Sequence, residues 1–175
     1  VTDQIIAVTV VGDDRPGIVA DVTSALADLH GNLEDSTMTL LRGHFAMVVL
    51  VRTGADAPAV EQALAHLTGD GSLVISARRL SEQTAVAAGG EADFVLHVHG
   101  ADRTGIVAAI TRVVADHGVN IVDLGTRLGD GLYVLVAQLS VPSSTEPDRL
   151  AEALRSVAAD LGVEVRLSRV DDDLL

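Results

Sequence analysis

Gly12-Asp13-Asp14-Arg15-Pro16-Gly17-Ile18-Val19-Ala20 is the stretch that decides the fold, because it returns 88 residues later as Gly100-Ala101-Asp102-Arg103-Thr104-Gly105-Ile106-Val107-Ala108. Sliding the chain on itself by 88 needs no gap from Gly12 to Val51, and 15 of those 40 positions are identical. Asn32 falls on Asn120, Asp35 on Asp123 and Gly43 on Gly131, while Phe45 falls on Tyr133. Agreement over so long a run makes the chain one module used twice. With 175 residues, each module has about 85, a marginal size for a hydrophobic core, so modules packed side by side, within or between chains, are expected.

Outward from the loop, each module alternates its periodicity. Ile5–Val11 has Ile6, Val8 and Val10 on one face, a half-buried strand. From Ile18 the spacing becomes helical, with Ile18, Val19, Val22, Ala25, Leu26 and Leu29 as the apolar stripe and His30-Gly31 as the stop, Gly31 terminating it. Leu33–Leu41 and Phe45–Val51 read as a hairpin turning at Arg42-Gly43. A loop over Thr53–Pro58, a helix over Ala59–Leu67 and a strand over Leu73–Arg79 complete the first copy.

The second copy runs as strand Asp93–His99, helix Ile106–His117, hairpin Asn120–Val141, helix Pro147–Leu161 and strand Val163–Val170. The expected fold is α+β: two ferredoxin-like βαββαβ domains, each a four-stranded antiparallel sheet with two helices on one face. The boundaries expected are domain 1 over 1–82, a Gly89-Gly90 linker over 83–92, domain 2 over 93–170 and an acidic tail over 171–175.

Composition narrows the function. Twelve basic residues face 25 acidic ones, a net charge of −13, so the counterion exchange that drives phosphate binding has little to work with and no direct nucleic-acid partner is expected. Cysteine is absent, which excludes disulfides and thiolate metal sites. No basic segment precedes the first apolar stretch, and the longest apolar runs fall far short of the ~18 residues of a membrane span. A cytoplasmic protein without membrane contact is expected. His97 and His99 share a strand face with no third ligand in sight, so an exposed or interface sheet face accounts for them and no metal site is expected. Among catalytic signatures, G-x-S-x-G, the Walker A loop, G-x-G-x-x-G and H-E-x-x-H are all missing, so neither an enzyme nor a cofactor is expected.

The repeated loop can do chemistry of another kind. Gly17 allows close backbone approach, and the helix behind it presents free N–H groups and the positive end of its dipole, a corner suited to a carboxylate. Asp14 could hold an ammonium, or could simply cap the helix with Asp102 as its counterpart. Asn32 and Asn120 open the second strand, beside the same loop, as ligand contacts or as turn residues. Arg15 and Arg103 could meet an anion or pair with a neighbouring carboxylate.

Asp14-Arg15-Pro16-Gly17-Ile18 with Asn32 fifteen residues after the glycine resembles the ACT domain, the regulatory module that binds amino acids in many metabolic enzymes. Both copies carry the pattern. Asn32-Leu33-Glu34-Asp35-Ser36 and the hairpin with Phe45 are similar to the glycine cleavage system transcriptional repressor group, whose members are two ACT modules and nothing else.

The resemblance implies a small amino acid, glycine or serine, held at an interface between modules. It assigns the contacts to Asp14, Arg15, Pro16, Gly17, Ile18 and Asn32, and to Asp102, Arg103, Thr104, Gly105, Ile106 and Asn120. It also implies a homodimer acting through a protein partner such as a DNA-binding regulator, in control of glycine or one-carbon metabolism. A ligand-free docking module and a regulatory subunit of a metabolic enzyme are the alternatives. Two departures bear on the ligand: serine-sensing modules of phosphoglycerate dehydrogenase carry Asn where Asp14 and Asp102 stand, and His where Gly12 and Gly100 stand. Thr104 in place of proline makes the second loop the less rigid of the two.

Overall fold

The computed structural model describes residues 3–81 and 91–170. The chain divides into two compact units, Val1–Ala87 and Ala88–Leu175. Most of the expected linker and the whole of the expected acidic tail lie outside the described residues.

Unit 1 runs β1 (Gln4–Asp13), α1 (Ile18–Asp28), β2 (Asn32–Leu41), β3 (His44–Thr53), α2 (Ala57–Leu64) and β4 (Leu73–Arg79). Its sheet order is β2-β3-β1-β4, every neighbouring pair antiparallel. Unit 2 repeats this as β5 (Phe94–Ala101), α3 (Ile106–Asp116), β6 (Asn120–Gly129), β7 (Leu132–Ser140), α4 (Pro147–Leu161) and β8 (Val163–Arg169), in the order β6-β7-β5-β8. This is the βαββαβ arrangement expected for both copies. Among the described residues no helix is long and apolar enough to cross a membrane.

Each unit closes its own core. In unit 1 the alternating residues Ile6, Val8 and Val10 of β1 and Phe45, Met47, Val49 and Val51 of β3 meet Ile18, Val22, Leu26, Val60 and Leu64 from the helices. In unit 2 Leu96, Val98, Leu135 and Leu139 meet Ile106, Ile110, Val114, Leu150 and Leu154. A sheet this poor in aromatics is filled by branched aliphatic side chains that interdigitate at period two on strands and about 3.6 on helices.

Four local expectations change. Val19 does not join the core stripe; it is 40% exposed, and its counterpart Val107 is 36% exposed. The stop of α1 is His30, at φ 53°, and not Gly31. Gly31 is required for a different reason: a side-chain carbon there would meet Val51 Cγ2 at 2.6 Å and the Leu26 carbonyl oxygen at 2.8 Å. In unit 2 the left-handed residue is Gly118, at φ 69°. Helix α2 begins two residues early, at Ala57, because Asp56 caps it by accepting from the Ala59 N–H, and Pro58 fits the first turn, where no N–H is needed.

The C-terminal end of the first helix is tied down in both units by a threonine, from different places. Thr53, only 2% exposed, donates its hydroxyl to the Leu29 carbonyl and accepts from the Ala55 N–H. Val141 occupies the matching position in unit 2, and the equivalent carbonyl, that of His117, accepts instead from Thr145 Oγ1 at 2.9 Å. Thr53→Val keeps the shape and strands both partners. It is expected to cost about 1–3 kcal/mol, seen as a lower urea midpoint with an unchanged slope.

Candidate functional site

The loop between β1 and α1 is built by close packing on one side and left-handed torsions on the other. Gly12 lies against the start of β4: a side-chain carbon there would stand 2.0 Å from the Ser72 carbonyl oxygen. That carbonyl also accepts from the Asp13 N–H at 3.0 Å. Asp70 holds the turn before it, accepting from the Ser72 hydroxyl and the Ser72 N–H, and these bonds hold its pKa below the usual carboxylate value. Gly100 is tight in the same way against Val163. A histidine at either position, as in the serine-sensing modules, has no space in this loop.

Gly17 and Gly105, both at φ 94°, are the residues that cap α1 and α3. Neither helix receives a side-chain capping bond, so Asp14 and Asp102 are not N-caps. Asp14 is exposed, and its backbone N–H is held by the Gly43 carbonyl at 3.2 Å. The first intrahelical bond runs from the Asp21 N–H to the Gly17 carbonyl. The N–H groups of Ile18, Val19 and Ala20 therefore have no carbonyl within the helix to meet, and they carry its partial positive charge.

These groups border an open cleft of about 480 Å³, lined by Asp14, Arg15, Gly17, Ile18, Val19, Ala20, Met38 and Phe45. The volume falls within the ~300–1,000 Å³ of small-molecule sites. One wall is polar and charged, and Met38 and Phe45 make an apolar floor from the helix-side face of β2 and β3. The exposure of Val19 is explained by this position. Arg15 turns back onto the first turn of α1, its Nη1 2.9 Å from Asp21 Oδ2 and both side chains about two-fifths exposed. A pair so wetted is worth only about 0–1 kcal/mol and is easily exchanged for another anion.

Unit 2 keeps the glycine and the aspartate but not this pairing. Ala109 stands where Asp21 does, and the Arg103 guanidinium lies instead over Gly162, where a side-chain carbon would come within 3.3 Å of it. Gly162 caps the C-terminal end of α4, the partially negative end of a helix dipole. Thr104 replaces Pro16, and Ile106 is as buried as Ile18.

Asn32 is not beside the loop. The loop follows Asp13, whose partner on β3 is His44, whereas Asn32 pairs with Arg52. Eight residues of strand separate those two positions, roughly 26 Å. Asn120, paired with Ser140, is displaced from the second loop in the same way. Both asparagines precede a bulge, between Leu33 and Asp35 in β2 and between Ile121 and Asp123 in β6. Next to Asn32, Glu34 pairs with Arg52. Sequence reasoning missed Met38, Val19 and Ala20 as cleft residues and Asp21 as the partner of Arg15. Val19 and Ala20, repeated as Val107 and Ala108, and Phe45, matched by Tyr133, carried a signal in the repeat; Met38 and Asp21 did not.

His97 and His99 lie on the sheet face away from the helices, with His99 Nε2 3.3 Å from Glu164. Among the described residues no three potential metal ligands converge.

Comparison with known proteins agrees with this geometry. Residues 4–75 and 92–168 match the family model of the ACT domain. A UPF0237 protein of Methanopyrus kandleri is 59% identical over 44 residues, which are 25% of this chain and 49% of that protein, so the match spans about half of that relative. The glycine cleavage system transcriptional repressor of Escherichia coli K12 is 23% identical over 173 residues, covering 95% of this chain and 90% of the repressor. The crystal structure of an unknown protein from Galdieria sulphuraria superposes with a TM-score of 0.80 at 34% identity, covering 97% of this chain and 99% of that one. With its repeated glycine corner, its two βαββαβ units and a family match in each, the chain belongs to the ACT domain family as a tandem protein resembling the glycine cleavage system transcriptional repressor.

Proposed function

We propose that the chain is a non-enzymatic, amino-acid-responsive regulator, and that its ligand is a small amino acid such as glycine or serine. The observation that carries this reading is the Gly17 cleft. It offers one pole for each end of a zwitterion: the N–H groups of Ile18, Val19 and Ala20 for the carboxylate and the exposed Asp14 carboxylate for the ammonium. Arg15 adds a second anion contact when it leaves Asp21, and Pro16 stiffens the loop. The corresponding contacts in unit 2 are Asp102, Arg103, Thr104, Gly105 and Ile106.

Asn32 and Asn120 reach a ligand in such a corner only from another module, and a homodimer is one way to supply it. A ligand shared in this way would bias assembly, each ~1.4 kcal/mol of differential binding shifting a two-state balance tenfold.

The regulated target is a protein in the cytoplasm. With a net charge of −13 the chain is poorly suited to phosphate backbones, so control of transcription would pass through a DNA-binding partner. The resemblance to the Escherichia coli repressor supports glycine metabolism as the pathway. Exposed Met38, Leu40 and Leu41 on the edge strand β2 offer apolar surface for a protein contact.

Titration calorimetry of the full chain against the twenty amino acids tests the reading. Heat is expected with glycine or serine and not with glycinamide, which lacks the carboxylate. Asp14→Ala is expected to weaken binding at least tenfold while leaving the melting temperature within a few degrees, because Asp14 is exposed and does not cap the helix. Silence with all twenty amino acids would defeat the sensor account and leave a docking module.

A further inference from the structure

The two units differ at one edge of their sheets, and the difference supplies its own template for a ligand. In unit 1 the edge strand β4 is closed by a side chain: Glu61, on α2, reaches over and accepts from the Ala77 N–H at 2.8 Å. Ala77 pairs with Val8, and the matching pair in unit 2 is Leu167 with Leu96. The Leu167 N–H therefore points out from the edge of β8 as the Ala77 N–H does from β4. Leu64 and Leu154, the buried helix residues, set the match between α2 and α4, and it places Ala151 where Glu61 stands. Alanine cannot accept the bond, and among the described residues no side chain bonds to the Leu167 N–H.

In place of the carboxylate there is a pocket of about 180 Å³ lined by Ala151, Leu154, Arg155, Val165, Arg166 and Leu167. Arg155, one turn along α4 from Ala151, borders the space from which an acid is missing, whereas Arg166 of β8 sits opposite His97 and its side chain belongs to the sheet face away from the helices. Unit 1 has Ala65 at the position of Arg155, so a basic side chain on the helix accompanies the loss of the internal acid.

We infer that this pocket is a carboxylate-binding site, in which an external carboxylate accepts from the Leu167 N–H as Glu61 does from Ala77, with Arg155 balancing its charge. Bonds between a carboxylate and cationic or N–H donors are the stronger kind, and a strand edge beside a guanidinium group favours an acid over a neutral amide. The carboxylate comes either from a free small acid or from a Glu side chain of a protein segment laid along β8. The site is separate from the Gly17 cleft and does not depend on the amino-acid-sensor reading.

The test is amide NMR on the full chain, following Leu167 during titration with sodium propionate, the side-chain end of glutamate, at constant ionic strength. A parallel titration uses a capped Ala-Glu-Ala peptide, and propionamide is the neutral control. A saturable shift of the Leu167 amide with propionate assigns a free acid. A shift with the peptide alone assigns a protein segment.

Ala151→Glu restores the unit 1 arrangement and is expected to weaken carboxylate binding at least tenfold by filling the site. Arg155→Ala, on an exposed helix face, is expected to weaken it several-fold without change of fold. The inference is overturned if Leu167 responds to neither acid, if propionamide shifts it equally, or if Ala151→Glu leaves the propionate affinity unchanged.

Discussion

Gly12→Ala is expected to cost about 3 kcal/mol or more, although it adds one methyl group. The added carbon would stand 2.0 Å from the Ser72 carbonyl oxygen and 2.9 Å from the Leu73 Cα. Both are backbone atoms. Ser72 is fixed by the Asp70 turn and by the Asp13 N–H, and Leu73 is the first residue of a strand paired with β1. Relief therefore requires β4 to move away from β1. At about 4–8 °C per kcal/mol for a domain of this size, the unfolding of unit 1 should shift down by roughly 12–24 °C in calorimetry.

Two other glycines calibrate the effect. Gly100→Ala should cost less, because one of the atoms it meets, Val163 Cγ1, can rotate away, although the Val163 Cα cannot. Gly17→Ala meets only Arg15 Nη1, at 3.9 Å, and should cost the ~1–2 kcal/mol of a left-handed torsion. A melting temperature for Gly12→Ala within a few degrees of the parent would show that the β1–β4 approach is wrong.

Ile18→Ala should cost about 2–5 kcal/mol, and Ile18→Val about 0.5–1.5 kcal/mol. Ile18 belongs to the repeated loop motif and borders the cleft, yet it is 2% exposed and packs in the unit 1 core. Its truncation removes the anchor that holds the first turn of α1 against the sheet, and with it the position of the N–H groups facing the cleft. Stability measured by urea denaturation and amino-acid affinity measured by calorimetry should therefore fall together. For Asp14→Ala only the affinity should fall. If Ile18→Ala weakened binding with stability intact, the residue would be a ligand contact alone and not a core anchor.

The fold was legible because its signals are local and occur twice. The change from period two at Ile6-Val8-Val10 to helical spacing after Ile18, the turn at Arg42-Gly43 and the return of the whole pattern at Gly100 specify βαββαβ without any coordinate. The glycine corner was legible for the same reason: a glycine before a helical stripe puts free N–H groups at a known place. Asn32 and Asp35 recur as Asn120 and Asp123, but the bulge beside them came only from the strand register, because nothing in one strand says which residue of another it will face.

What the chain alone determined is the module, its duplication and the corner at Gly17 and Gly105, since each follows from torsions and side-chain spacing within a few residues. Tertiary structure alone decided that Asn32 lies at the far end of the sheet from that corner, because pairing register and the antiparallel order set the distance. It also decided that Gly12 is compelled by the backbone of β4, that Arg15 turns to Asp21 while Arg103 turns to the end of α4, and that Ala151 leaves open what Glu61 closes. Those are contacts between segments tens of residues apart, and their partners become neighbours only when the sheet has formed.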